Sequence, residues 1–198
     1  LTLPFDEGMA LERKLFLQCI DSPQRAGLIH AFFAEREVLK APETRSASPR
    51  PLASAGIVGG GTMGAGIAVA MLDAGLPVTM IERDDTQLAR GRANVEKVYD
   101  GLIAKGRITP EAKAAVLARF SGSTSYDALA DVDIVVEAVF EDMGVKKAVF
   151  AELDRVCKQG AVLATNTSYL DIDEIAASIS RPQDVVGLHF FSPANIMK

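Results

Sequence analysis

Ala55-Gly56-Ile57-Val58-Gly59-Gly60-Gly61-Thr62-Met63-Gly64-Ala65-Gly66 is a short apolar run, a cluster of glycines and the start of a second apolar stretch. Ala55–Val58 has the length and composition of a buried strand, and residues 63–74 read as a helix. Between them, G-x-G-x-x-G falls at Gly59, Gly61 and Gly64. Gly59 permits a tight turn, Gly61 lets backbone approach a pyrophosphate, and Gly64 lets the helix lie close to the strand. The free N–H groups at the helix start then face negative charge. A second apolar run, 78–81, ends at Glu82, about 20 residues after Gly61, where a carboxylate accepts hydrogen bonds from ribose hydroxyls. That charge repels a 2′-phosphate, so NAD is favoured over NADP, and Arg83 beside it weakens the preference slightly. A membrane span over 56–81 is disfavoured, because Asp73, Pro77 and many glycines interrupt it.

Beyond this unit, short apolar runs alternate with helical stretches. Strands are expected at 55–58, 78–81, 120–124, 132–136, 161–164 and 185–190. Helices are expected at 63–74, 86–105, 110–118 (with Thr109 as N-cap and Pro110 in its first turn), 145–157 and 171–179. This alternation predicts an α/β fold with a doubly wound, mostly parallel, Rossmann-like sheet covered on both faces. The stretch between Ile81 and Phe120 is too long for one crossover helix, so a helical hairpin projecting from the sheet is expected. Upstream, residues 8–40 read as a long linker helix with a break or fresh start at Ser22-Pro23, and 41–51, with Pro42, Pro49 and Pro51, as a linker. The expected organisation is thus 1–51, a helix and linker from a preceding domain, and 52–198, the nucleotide-binding domain.

The 198 residues amount to about 1.3 ordinary domains. With 48% hydrophobic and 24% charged residues, disorder and collagen-like repeats are excluded. A net charge of −5 disfavours a general nucleic-acid binder. Cys19 and Cys157 lie far apart and read as free thiols of a reducing compartment, with no metal site. The acidic N-terminus lacks a signal-peptide pattern, no transmembrane segment is expected, and both ends of the chain read as cut.

Only two histidines are available, His30 and His189. His30 falls on the upstream helix and reads as surface or packing. His189 falls at the end of the last strand, on the edge where ligands bind such sheets, and Ser168 falls at the neighbouring strand end. A base beside a nicotinamide is what alcohol oxidation needs. A structural histidine in the aromatic cluster His189-Phe190-Phe191 is the other reading, and position alone leaves both open.

Gly59 to Gly66, Glu137-Ala138-Val139-Phe140-Glu141, Asn166-Thr167-Ser168 and His189-Phe190-Phe191-Ser192-Pro193 together resemble the L-3-hydroxyacyl-CoA dehydrogenase family over about residues 53–198. Residues 4–13 and 32–36 resemble the linker helix of the multifunctional β-oxidation enzymes, where an enoyl-CoA hydratase domain precedes it. The resemblance implies NAD as cofactor. It implies Gly59, Gly61, Thr62, Met63 and Gly64 around its pyrophosphate, Glu82 on the ribose, and Val139, Phe140, Glu141, Lys146 and Ser192 lining its site. Ser168 would touch substrate and nicotinamide, and His189 would be the general base. Lys105 would contact the CoA moiety of a 3-hydroxyacyl-CoA substrate. Ser192 stands where the family commonly has Asn, and Val98 where it often has Ser. The resemblance also implies an orienting Glu and a helical domain beyond position 198, so that this piece alone binds NAD without turnover, and a thiolase subunit as partner of the whole enzyme. The expected location is cytoplasmic, or peroxisomal in a eukaryote. A non-catalytic NAD-sensing module and another β-hydroxyacid dehydrogenase are the alternatives. The former has no need for His189 beside Ser168, and the latter uses a Lys base after the sheet.

Overall fold

The structure, a computed structural model, describes residues 2–38, 40 and 47–197. Residues 41–46 of the expected linker lie outside these, and 47–51 carry no regular structure. The chain divides into two compact units, residues 1–50 and 51–198.

The first unit holds two helices, α1 (Phe5–Ile20) and α2 (Pro23–Val38), divided at the expected break Ser22-Pro23. Ser22 explains the break. Its hydroxyl donates to the Cys19 carbonyl at 2.6 Å and accepts the Arg25 N–H at 3.2 Å, closing one helix and opening the next. Pro23 starts α2 at no hydrogen-bond cost. Neither helix has a buried residue, and His30 is exposed on α2.

The second unit runs β1 (Ala55–Val58), α3 (Thr62–Asp73), β2 (Val78–Ile81), α4 (Asp85–Ala104), α5 (Pro110–Leu117), β3 (Phe120–Ser123), β4 (Ile134–Glu137), α6 (Met143–Val156), β5 (Val162–Thr165), α7 (Ile172–Ala176) and β6 (Val185–Gly187). All six strands are parallel, in the order β3-β2-β1-β4-β5-β6. Consecutive strands step outward from β1 to β3, and the chain then returns to lay β4 on the other side of β1. The connections leaving the carboxyl ends of β1 and β4 therefore run to opposite faces of the sheet, and a crevice opens between them.

Alternation along each strand divides the core. Ala55, Ile57 and Val136 pack with Ile67, Leu72, Val95 and Tyr99 of α3 and α4. Val58, Val135 and Leu163 pack on the opposite face with Phe150 and Leu153 of α6 and Ile175 of α7. Each Val, Leu, Ile or Phe side chain among these contributes roughly 1.5–3 kcal/mol of burial free energy. The apolar character of α3, which could suggest a membrane span, is explained by burial among the sheet, α4 and Ala194. No described helix is long and apolar enough to cross a membrane.

The helical hairpin exists, but it projects less than expected. Gly91, Val95 and Tyr99 of α4 are buried, and the Tyr99 hydroxyl donates to Asp73 Oδ1 at 3.0 Å, so most of α4 lies on the sheet and α3. Only the tip and α5, which has no buried residue, stand clear. Thr109 caps α5 by accepting the Ala112 N–H at 3.2 Å. β4 begins two residues later than expected because the N–H of Val132 closes a tight turn onto Leu129 at 3.3 Å.

Candidate active site

Each glycine of the loop between β1 and α3 has its own reason. Gly59 sits at φ +99°, and a Cβ there would lie 2.8 Å from the Ala138 carbonyl oxygen. At Gly64 a Cβ would come within 1.8 Å of the Gly59 carbonyl oxygen, so Gly64 serves helix-to-loop packing and does not itself line the cleft. Gly60, to which sequence reasoning gave no role, faces Gly91 of α4, and a Cβ there would lie 2.8 Å from the Gly91 Cα. Gly61 differs, since a Cβ there would meet nothing within 4 Å. It is the N-cap of α3, makes no side-chain cap and opens on the crevice. Unpaired N–H groups at a helix start with open space before them fit a pyrophosphate.

Glu82 is part of the same unit. Its Oε1 accepts the Gly60 N–H at 2.7 Å and its Oε2 accepts the Arg83 N–H at 3.1 Å. The Gly60 carbonyl in turn accepts from Asn94 Nδ2 at 3.1 Å, so the middle glycine of the loop is held through both its backbone N–H and its carbonyl. Glu82 keeps lone pairs free for further donors such as ribose hydroxyls. The crevice, about 680 Å³, is lined by Gly59, Gly61, Thr62, Met63, Glu82, Val139 and Phe140. Ile81, Tyr126 and Val149 add apolar walls that suit a flat heteroaromatic ring. These three carry no motif and become legible only when the strands are laid side by side.

Lys146 is buried rather than open on the crevice. It is 1% exposed, and its ammonium meets Glu137 at 2.9 and 3.0 Å and Glu141 at 3.1 Å. An ammonium has three donors, and all three are spent. The α6 N-cap, Asp142, which accepts the Val145 N–H at 2.9 Å, sets the helix phase that sends this side chain inward.

Glu141 sits above that ammonium. Its Oε1 accepts the Thr167 hydroxyl and, at 2.8 Å, the Ser168 N–H. Partial burial pushes its carboxyl up, but the hydrogen bonds from Thr167, Ser168 and Lys146 outweigh this and hold it below the usual carboxylate range.

Ser168, just past β5, and His189, just past β6, meet at 3.2 Å between Oγ and Nε2. Both are exposed on the carboxyl edge of the sheet. The ring of Phe191 lies 5.1 Å from the imidazole, while Nδ1 has no hydrogen-bond partner among the described residues. β6 ends earlier than expected. The Leu188 N–H still bonds the Thr165 carbonyl, but the Phe190 N–H goes to the side chain of Asn166 at 2.8 Å. Asn166 was quoted in the sequence only as part of a motif.

The remaining expected residues lie apart from this pair. Ser192 is exposed and has no hydrogen-bond partner among the described residues. Lys105 is exposed at the tip of the α4–α5 hairpin, before Gly106 at φ +64°, and Val98 packs against the core. Among the described residues no cluster of His, Cys, Asp or Glu could hold a metal.

A six-stranded parallel sheet with a glycine turn at its switch point and a carboxylate at the end of β2 defines a dinucleotide-binding domain of the dehydrogenase type. Comparison with known proteins narrows the class. The family described as 3-hydroxyacyl-CoA dehydrogenase, NAD binding domain, matches residues 54–198, and the chain belongs to it. A peroxisomal bifunctional enzyme of Cavia porcellus is 46% identical over 201 residues, covering 98% of this chain and 27% of that protein. One of Homo sapiens is 43% identical over 200 residues with the same coverage. The crystal structure of 3-hydroxybutyryl-CoA dehydrogenase from Escherichia coli matches with a TM-score of 0.72 at 38% identity, over 75% of this chain and 32% of that one. The chain thus spans about a quarter of the length of these curated relatives.

Proposed function

We propose that the chain is the NAD-binding portion of an enzyme that oxidises L-3-hydroxyacyl-CoA to 3-oxoacyl-CoA within a multifunctional β-oxidation protein. The observation that carries this reading is the Ser168–His189 contact, on the same sheet edge as the glycine-loop crevice. In this reading Gly61, Thr62 and Met63 present N–H groups to the pyrophosphate, and Glu82 accepts from the ribose. Val139 and Phe140 form the crevice wall, and Glu141, held by Lys146, lies toward the nicotinamide end. NAD, when bound, supplies the acceptor for the substrate hydride.

The chain's own residues manage the proton. His189 Nε2 takes the proton of the substrate hydroxyl in oxidation and returns it in reduction. Ser168 Oγ stands within hydrogen-bond reach of Nε2 and holds the substrate oxygen there. Only the tautomer with its proton on Nδ1 leaves Nε2 free to accept. A hydrogen-bond partner for Nδ1 would fix that tautomer.

Lys105 is proposed for the CoA moiety and a thiolase subunit for the partner, both on the resemblance. The names of the Cavia porcellus and Homo sapiens relatives favour a peroxisomal location over a cytoplasmic one. A β-hydroxyacid dehydrogenase with a lysine base after the sheet is disfavoured, because this site edge offers His189 beside Ser168 instead.

Calorimetric titration of NAD and NADP into the chain tests the cofactor assignment. NAD should bind more tightly than NADP, and Glu82→Ala should weaken NAD by roughly 10–100-fold, the worth of hydrogen bonds to a charged group. Equal affinities for the two cofactors, or an unchanged one in the variant, would contradict it.

A further inference from the structure

We propose that Glu137 is a positioning residue for the Ser168–His189 pair, acting through Lys146 and Glu141; this rests on the dehydrogenase reading above. Glu137 ends β4 and is fully buried, at 0% exposure. Four donor contacts converge on its carboxylate. Oε1 accepts the Val139 N–H at 2.7 Å and the Lys146 ammonium at 2.9 Å. Oε2 accepts the same ammonium at 3.0 Å and the Thr165 hydroxyl at 2.8 Å. A group surrounded only by donors must be acceptor-only, which among side chains means an ionised carboxylate.

From there contacts run without a gap to the reacting pair. The third N–H of Lys146 reaches Glu141 Oε2 at 3.1 Å. Glu141 Oε1 holds the Ser168 N–H at 2.8 Å, and Ser168 Oγ lies 3.2 Å from His189 Nε2. Each link before the last is charge-assisted, and such bonds are short and directional. A well-packed apolar group often serves the interior as well as a buried ion pair. This network, however, ends on the backbone of the residue facing His189. Through Val139 the same carboxylate also fixes a wall of the crevice. Glu137 therefore sets the cofactor wall and the Ser168 loop together.

The test uses two variants and two readouts. In the chain itself, Glu137→Gln places an amide N–H₂ among donors. Hydrogen exchange of the Ser168 amide should then quicken by about tenfold or more, while that of Ile57 in β1 stays within about threefold. In the full-length enzyme, the carbonyl oxygen of Gln can still accept the Val139 N–H and keep the cofactor wall, so kcat should fall about tenfold or more with the KM for NAD within about threefold. Because the single variant leaves a buried ammonium underpaired, Glu137→Gln/Lys146→Met is the second variant. It should regain the thermal midpoint, yet kcat should stay low because Glu141 has lost its ammonium. Recovery of kcat together with the midpoint, or an unchanged Ser168 amide, would overturn the inference. Should the wild-type full-length enzyme fail to oxidise 3-hydroxyacyl-CoA with NAD, the function reading fails instead. The Ser168 amide alone then decides whether Glu137 positions this loop.

Discussion

The side-chain carbonyl of Asn166 accepts the backbone N–H of Phe190 at 2.8 Å, and this contact takes over where β5–β6 pairing stops. One residue before Phe190, His189 turns toward Ser168. Asn166 thus substitutes for a strand partner, with a side chain that lets the backbone leave the sheet. Asn166→Leu removes the acceptor and should lower kcat of the full-length enzyme by about tenfold or more, with NAD affinity kept. Asn166→Asp, which retains an acceptor oxygen, should retain the thermal midpoint better than Asn166→Leu. Steady-state kinetics and thermal melts check the pair, and equal kcat in Asn166→Leu and wild type would contradict the clamp.

The loop glycines separate folding from binding. Gly61→Ala adds a methyl group that meets nothing within 4 Å, so stability should stay within about 0.5 kcal/mol. NAD affinity should nevertheless fall about tenfold or more, because that open space is where the pyrophosphate lies. Gly64→Ala forces a methyl group to 1.8 Å from the Gly59 carbonyl and should cost about 1–3 kcal/mol or more. Its thermal midpoint should drop by roughly 2–4 °C for each kcal/mol. Thermal melts with and without NAD distinguish the two, and matching stability losses would contradict the division.

Acid should loosen the start of the sheet through Asp133. Its Oδ1 takes the Lys158 ammonium at 2.6 Å, and its Oδ2 takes the Ala53 and Ser54 N–H groups at 2.7 and 3.0 Å. The Lys158 hydrogen bond first, and then the Ala53 N–H, hold its carboxyl down at about 2. A lowered folded-state value means that this contribution is fully present above the unfolded value of about 3.9 and is lost as pH falls through about 2. The thermal midpoint of Asp133→Asn should therefore lie below wild type at neutral pH and converge on it near pH 2. A difference independent of pH would count against this.

The two thiols should differ in reactivity. Cys19 is exposed and Cys157 is buried. Burial pushes the Cys157 thiol up to about 11, with the Arg181 guanidinium opposing. Thiolate is the reactive form, so an aromatic disulfide reagent near pH 8 should label one thiol in the native protein and the second only after denaturation. Two labels at one rate would show that Cys157 is accessible.

The sheet was legible because its strands are buried runs bounded by turn residues. Val78–Ile81 and the Thr109 cap fall where the pattern puts them. The misplacements have local causes that periodicity does not encode: a tight turn ending at Val132 and a side chain capturing the Phe190 amide. Ser168 and His189 were legible as residue types at strand ends. The burial of Lys146 was not legible, since a motif gives its place in the chain and not the direction its helix turns it. The missed signal was Glu137, a carboxylate closing the apolar run Ile134-Val135-Val136, which in a buried strand requires a cation nearby.

The central claim is that His189 is the proton acceptor beside a bound NAD. NADH formation from a 3-hydroxyacyl-CoA by the full-length enzyme, wild type against His189→Ala, tests it most directly, with NAD affinity measured on the same samples. The rate should fall by roughly 10²–10⁴-fold while NAD affinity stays within about threefold. Wild-type turnover in His189→Ala would contradict the account.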